Sequence, residues 1–292
     1  MGKAAEKAQT FVELVKLEHS IFALPYAYVG GLYGAAAARS GLPSWSEIVW
    51  ITIAMVGARS FAFVVNRAVD REIDARNPRT ASRAVPAGRL KTWEVWFFGA
   101  LVLAAYLVAV WQLAPLTRWL SPIPLAAFIV YPYTKRFTWL CHYWLGMCLG
   151  LAPIAGWAAV GASLADPAPW VLGLAVLLWT AGFDIIYATQ DFACDIRDKI
   201  HSVPVDFGIA RALTQTRFDH IATVALLALG GYLAGAGVFW YGGVAIAAFL
   251  LGYENSIVTR DGLSRVNAAF FTVNGIIAIV VFVGALADRL EA

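Results

Sequence analysis

Long apolar runs separated by short charged stretches dominate the chain. A helix that crosses a bilayer needs about 20 mostly apolar residues, and nine stretches fit that pattern: 20–38, 47–66, 94–112, 117–133, 140–163, 168–190, 218–236, 238–253 and 267–287. Ahead of them, residues 1–19 set Lys3, Lys7 and Lys16 among Phe11, Val12, Leu14, Val15 and Leu17. That mixture predicts an amphipathic segment lying on the membrane surface. Acidic residues interrupt it and no small-residue cleavage site follows, so it does not read as a cleaved signal.

Composition agrees with the pattern. Of 292 residues 60% are hydrophobic and 14% charged, and the mean hydropathy is +0.68. A water-soluble globule and a disordered chain are both excluded by such a balance. Twelve Trp, 11 Tyr and 17 Phe supply the aromatic side chains that favour membrane interfaces. The formal net charge is +3 and its cations fall in loops, which argues against a nucleic-acid partner. Cys141, Cys148 and Cys194 lie in apolar or membrane-edge surroundings and imply neither a disulfide framework nor a metal site.

The cations give an orientation. Eighteen of the 22 Lys and Arg fall in the N-terminal stretch and in the loops 67–93, 134–139, 196–217 and 254–266. With nine spans these segments share one side, and the positive-inside tendency makes it the cytoplasmic side of a multi-pass protein of the cell inner membrane.

Two charged motifs stand on that side. Asn66, Asp70 and Asp74 follow one another at four-residue steps, so on a continuous helix they drift about 40° per step along one face of roughly 12 Å. Asp184, Tyr187, Asp191, Asp195 and Asp198 fall within a stripe about 80° wide on the same assumption. Carboxylates so arranged repel one another unless cationic charge lies among them. Asp70, Asp74, Asp191 and Asp195 therefore read as a metal-binding set, suited to Mg²⁺, which takes oxygen ligands and keeps positions open for phosphate oxygens. Glu72 and Asp198, taken singly, read as solvated loop charges. Asp184 closes an apolar run, where an ionisable side chain is expensive and faces the bundle interior. Asp70 to Asp191, Asp74 to Asp195 and Asn66 to Tyr187 are each 121 residues apart, which suggests an internal duplication with the two acidic clusters across one cavity.

Basic residues nearby complete a diphosphate site. Lys135 and Arg136 close the fourth span in Tyr131-Pro-Tyr-Thr-Lys-Arg, and Arg83 and Lys199 lie in the loops that carry the motifs. Membrane-edge cations serve chiefly as topological anchors, so each competes with that role. Arg59, seven residues before Asn66 on the same face, is set among apolar residues and requires a partner, either the carboxylate of an acceptor or Asp184.

Asn66-x3-Asp-x3-Asp, Asp184-x2-Tyr-x3-Asp-x3-Asp, Tyr131-x3-Lys-Arg and Arg83-x2-Pro-x-Gly resemble the signatures of the UbiA superfamily of membrane prenyltransferases, over nearly the whole chain. The resemblance implies an all-α integral membrane bundle of about nine transmembrane helices. Two four-helix halves would surround a central cavity, with one extra helix, in a single domain over 1–292. Glu18-His-Ser-Ile-Phe-Ala-Leu-Pro25, Arg67 after Asn66, Gly182-Phe-Asp-Ile-Ile-Tyr187 and Leu263-Ser-Arg-Val-Asn-Ala-Ala-Phe-Phe271 are similar to the branch labelled 4-hydroxybenzoate polyprenyltransferase-like. That branch implies prenylation of 1,4-dihydroxy-6-naphthoate on the futalosine route to menaquinone, with 4-hydroxybenzoate on the ubiquinone route as the alternative acceptor.

The chemistry implied is transfer of a polyprenyl group from its diphosphate to an aromatic acid by electrophilic substitution. Asp70, Asp74, Asp191 and Asp195 would hold Mg²⁺. Asn66, Arg83, Lys135, Arg136 and Lys199 would bind the diphosphate, and Tyr131 and Tyr187 would face the allylic cation. Arg59 and Asp184 would bind the acceptor, Asp184 also serving catalytically to orient the acceptor or the cavity cation, with the diphosphate itself able to take the ring proton. The partners implied are the donor, the acceptor and the bilayer, with no obligatory protein partner. Two rivals fit less well. A transporter favours broken helices at mid-membrane, and a CDP-alcohol phosphotransferase requires an Asp-x2-Asp-Gly-x2-Ala-Arg signature absent here. A relative that prenylates a tetrapyrrole shares the chemistry.

Overall fold

The computed structural model describes residues 10, 11, 13, 14, 22–258, 266 and 268–291. Most of the amphipathic N-terminal segment, residues 18–21 of the first branch phrase and residues 263–265 and 267 of the last lie outside them. Every regular element among the described residues is helical. Thirteen α-helices are numbered here: α1 Leu24–Arg39, α2 Trp45–Val69, α3 Arg71–Arg76, α4 Thr92–Gln112, α5 Pro115–Leu120, α6 Pro122–Thr134, α7 Cys141–Ala159, α8 Ala168–Ala188, α9 Phe192–Asp198, α10 Val203–Phe207, α11 Ile209–Leu233, α12 Val238–Ile257 and α13 Asn274–Glu291.

A helix occupies each of the nine apolar stretches. Among the described residues, four helical segments are long and apolar enough to cross a membrane by length and composition, namely Trp45–Val69, Thr92–Gln112, Ala168–Asp198 and Phe270–Glu291. The others are shorter or more polar, α1 having 16 residues and α6 having 13. The protein is an integral membrane protein, and its surface reads accordingly. Exposed Trp45, Trp111 and Trp119 sit at one end of their helices, exposed Trp93 and Trp96 at the start of α4 and exposed Trp139 in the turn before α7, and Leu101, Val108, Phe249 and Val283 are exposed within helices.

Local chemistry explains where helices start and break. Ser44 and Glu47 form a reciprocal cap on α2, Glu47 N–H donating to Ser44 Oγ at 3.2 Å and Ser44 N–H to Glu47 Oε2 at 2.7 Å. The stretch 117–133, expected as one continuous span, is divided between α5 and α6 at Ser121. Pro122 supplies no N–H and its ring crowds the preceding turn. Tyr106 Oη donates to the Ser121 carbonyl at 3.0 Å and fixes the elbow.

Packing places α8 between α7 and α11, α1 against α7 and α13, and α2 against α4 and α6. Trp157, Trp179, Trp240, Tyr26 and Tyr33 fill the main core with almost no exposure. Small residues let α1 and α7 approach to backbone contact. A Cβ at Gly156 would run into the Ala27 carbonyl, and one at Gly30 into the Pro153 backbone. Gly156→Val is therefore expected to cost about 3 kcal/mol or more, the upper end of overpacking penalties. A thermal scan of the purified protein should show a clear fall in Tm, and an unchanged Tm would contradict this crossing.

Candidate functional site

A cavity of about 380 Å³ runs between α1, α2, α6 and α7. Its walls are almost wholly apolar, and at one end it meets Arg59, Asn66 and Tyr131. Phe22, Phe183 and Phe270 close the wall beside them. Phe270 arrives on a π-helical turn, Ala268–Val273, and packs on the Tyr187 ring with centroids 4.2 Å apart. Such turns swing a side chain out of the regular helical register.

Both acidic motifs sit at breaks in the long helices. Asp70 caps α2 with φ −90° and ψ 6° before the short α3, and Asp191 caps the short α9 with φ −96° and ψ 2°. A 3₁₀ turn, Thr189–Asp191, separates α8 from α9. The single straight stripe expected from the spacing is therefore bent at these two residues. Asp74 and Asp195 then occupy equivalent places on the short helices that follow.

Each motif is threaded with cations. Asp70 accepts from Lys135 Nζ at 2.5 Å and from Asn66 Nδ2 at 3.1 Å, and Arg136 Nη2 stands 3.4 Å from it. Burial, the larger influence, raises the Asp70 carboxyl above the ordinary carboxylate value even though Lys135 pulls it down. Asp74 pairs with Arg83 at 2.7 Å and Arg67 at 3.5 Å. Asp191 is gripped by Arg79, Nε donating at 2.9 Å and Nη2 at 2.5 Å. Nη1 of the same guanidinium donates to Tyr187 Oη at 2.7 Å, and Asn77 Nδ2 donates to Asp191 at 2.8 Å. Burial disfavours the Arg79 charge, but Asp191 outweighs it and holds the group above its ordinary pKa.

The structure thus brings Asn66, Asp70, Lys135 and Arg136 together, and separately Asp74 with Arg83. Tyr187 and Asp191 meet through Arg79, a residue that sequence reasoning counted only as a loop cation. Arg59 lines the cavity with its guanidinium 5.1 Å from the Phe63 ring centre. Asp184 meets His142 Nδ1 at 2.7 Å, a partner the sequence reading passed over. Tyr131 lines the cavity beside Asn66. Lys199 is exposed and ends α9 in a left-handed turn with φ 55°, and the cluster does not include it.

Among the described residues no three His, Cys, Asp or Glu side chains converge closely enough to hold a metal ion. The donor set still has oxygens to spare. Asp74 Oδ2 is buried without a hydrogen-bond partner, and no cation stands within ion-pair distance of Asp195 among the described residues. Asp195 is therefore open to a hard divalent ion, and Asp74, though flanked by Arg83 and Arg67, keeps one oxygen without a hydrogen bond, so the chemistry of the residues fits Mg²⁺.

Comparison with known proteins decides the family. The UbiA prenyltransferase family matches residues 24–276. The chain belongs to that family. UbiA relatives resemble it over most of their length. A 4-hydroxybenzoate octaprenyltransferase of Tolumonas auensis is 32% identical over 277 residues, 94% of this chain and 95% of the relative. The 4-hydroxybenzoate octaprenyltransferase of Alkalilimnicola ehrlichii is 31% identical over 288 residues, 97% of this chain and 95% of the relative. The apo structure of a UbiA homologue from Aeropyrum pernix superposes with a TM-score of 0.83 at 32% identity, covering 93% of this chain and 98% of that one. A UbiA homologue from Archaeoglobus fulgidus solved with GPP and Mg²⁺ shares the fold, with a TM-score of 0.72 at 21% identity over 97% and 100% of the two chains. As a member of this family, the protein is a prenyltransferase.

Proposed function

We propose that the protein transfers a polyprenyl group from polyprenyl diphosphate to a small aromatic acid, with 4-hydroxybenzoate as the leading acceptor. The observation that carries this reading is the junction of an apolar cavity with a cation-lined acidic cluster at Asn66 and Tyr131. The names of the relatives support 4-hydroxybenzoate over the naphthoate. The naphthoate remains a second reading on the strength of the branch phrase Gly182–Tyr187 and of Arg67 after Asn66.

Asp70 and Asp74 from one motif, and Asp191 and Asp195 from the other, would hold Mg²⁺, which when bound supplies positive charge beside the diphosphate. The chain's own residues do the rest. Lys135, Arg136, Arg83 and Arg79 would donate to the diphosphate as the allylic C–O bond breaks and its electron pair leaves with oxygen. The Tyr131, Tyr187 and Phe270 rings would shelter the allylic cation and turn their electron-rich faces to it. Arg59 would hold the acceptor's carboxylate, and the apolar wall of α2, α6 and α7 would take the prenyl tail. Nine spans, with the motifs facing the cytoplasm across the inner membrane, agree with the distribution of Lys and Arg.

Membranes containing the protein, given one labelled polyprenyl diphosphate with either 4-hydroxybenzoate or 1,4-dihydroxy-6-naphthoate, should prenylate the former faster. A faster naphthoate reaction would reverse the order of acceptors. Failure with both would overturn the proposed reaction. Chelation of divalent ions should stop turnover and added Mg²⁺ should restore it.

A further inference from the structure

His142, the second residue of α7, is buried, its side chain 3% exposed against 19% for the Asp184 beside it. Its Nε2 accepts the Val203 N–H at 3.2 Å. That amide begins α10, where no turn of the helix can supply an acceptor. A ring nitrogen that accepts carries no proton, so the proton of the neutral imidazole sits on Nδ1 and is donated to Asp184 Oδ2 at 2.7 Å. The imidazole is thereby fixed in one tautomer and one orientation, as with a metal-binding histidine held by its outer partner.

The clip behind it is tied to the cation cluster. His201 N–H donates to the Lys135 carbonyl at 2.8 Å, two residues before Val203. One segment thus holds both the backbone of Lys135 and the ring of His142. Asp184 Oδ1 makes no hydrogen bond among the described residues. It follows Phe183, which lines the cavity together with Tyr131. One carboxylate oxygen is occupied by His142, and the other, on a side chain 19% exposed, has no hydrogen-bond partner among the described residues.

We infer that His142 is a positioning residue, holding the Asp184 carboxylate so that its open oxygen removes the ring proton of the prenylated acceptor. The inference rests on the proposed prenyl transfer to an aromatic ring. In that step the prenyl C1–oxygen bond breaks and its pair leaves with the diphosphate, while a ring carbon forms the new C–C bond. The C–H bond at that carbon then breaks, its electron pair restores the aromatic ring, and the proton passes to Asp184 Oδ1.

The test uses the full-length protein in membranes and an acceptor deuterated at the prenylated carbon. His142→Leu should lower kcat about 10²-fold, the low end of what positioned proton transfer contributes, with KM for the prenyl diphosphate unchanged. A primary isotope effect on kcat should appear that is small or absent in the wild type. His142→Asn, which keeps a donor near the Nδ1 position, should recover most of kcat. In an Asp184→Asn background His142→Leu should add no further loss. His142→Phe, closer in volume, carries the same expectations if His142→Leu does not fold. Additive losses in the double variant, or a fall in rate with no isotope effect, would overturn the positioning role. A wild type that prenylates no aromatic acid would instead overturn the proposed reaction.

Discussion

Asp191→Ala is expected to abolish Mg²⁺-dependent prenyl transfer in membranes while the protein still accumulates there. The proposed role of Asp191 as a metal ligand puts several kcal/mol of transition-state stabilisation at stake, about a thousandfold in rate or more. Removing it also strands the Arg79 guanidinium, which now has both carboxylate oxygens of Asp191 within reach. Asp70→Ala should behave alike, because it leaves Lys135 and Arg136 without the carboxylate they share. Turnover by labelled donor, read beside size-exclusion profiles, checks both, and full activity in either variant would remove the aspartates from the site.

Arg79→Ala is the second large effect, expected at about 10²- to 10³-fold in kcat, as for loss of one preorganised donor to a developing anion. The residue ties the loop after α3 to the end of α8 and touches both Asp191 and Tyr187. Arg79→Lys should recover little, since a single ammonium cannot span two carboxylate oxygens and a phenol at once. Steady-state kinetics with saturating acceptor give the answer, and near-wild-type turnover would show that Arg79 is only a strut.

Much of the candidate site can be read from the sequence because its spacing is local. Asn66, Asp70 and Asp74 are neighbours in the helical sense, and so are Tyr187, Asp191 and Asp195. Lys135 follows from an Asp cluster that demands a cation. What periodicity hides is pairing across the chain. Arg79 and Asp191 are 112 residues apart, and nothing in the loop around Arg79 distinguishes it from its six basic neighbours. His142 gave one usable signal, an ionisable ring inside an apolar stretch, but its partner Asp184 lies 42 residues on. The helical character of the apolar stretches was legible, while helix continuity was not, and four of the nine expected spans are long and apolar enough to cross a membrane among the described residues. Pro122 marks a break that apolar content alone runs straight through, and the bends at Asp70 and Asp191 leave no trace in residue type. The acceptor was least legible, because it depends on the shape of a cavity whose walls are mostly interchangeable aliphatic side chains.

The crossing of α1 and α7 bears on how the cavity accommodates tails of different length. Where Gly156 meets Ala27 and Gly30 meets Pro153, the two backbones are in contact and neither helix has a side chain to rearrange. Facing them, α5 and α6 meet at the Ser121 elbow, held by a hydrogen bond from Tyr106. The chamber is therefore bounded by a backbone contact on one side and by an elbow held by a hydrogen bond on the other. Tyr131 and Lys135 stand on and just after α6, so a substrate that pushed this helix outward would carry both away from Asp70.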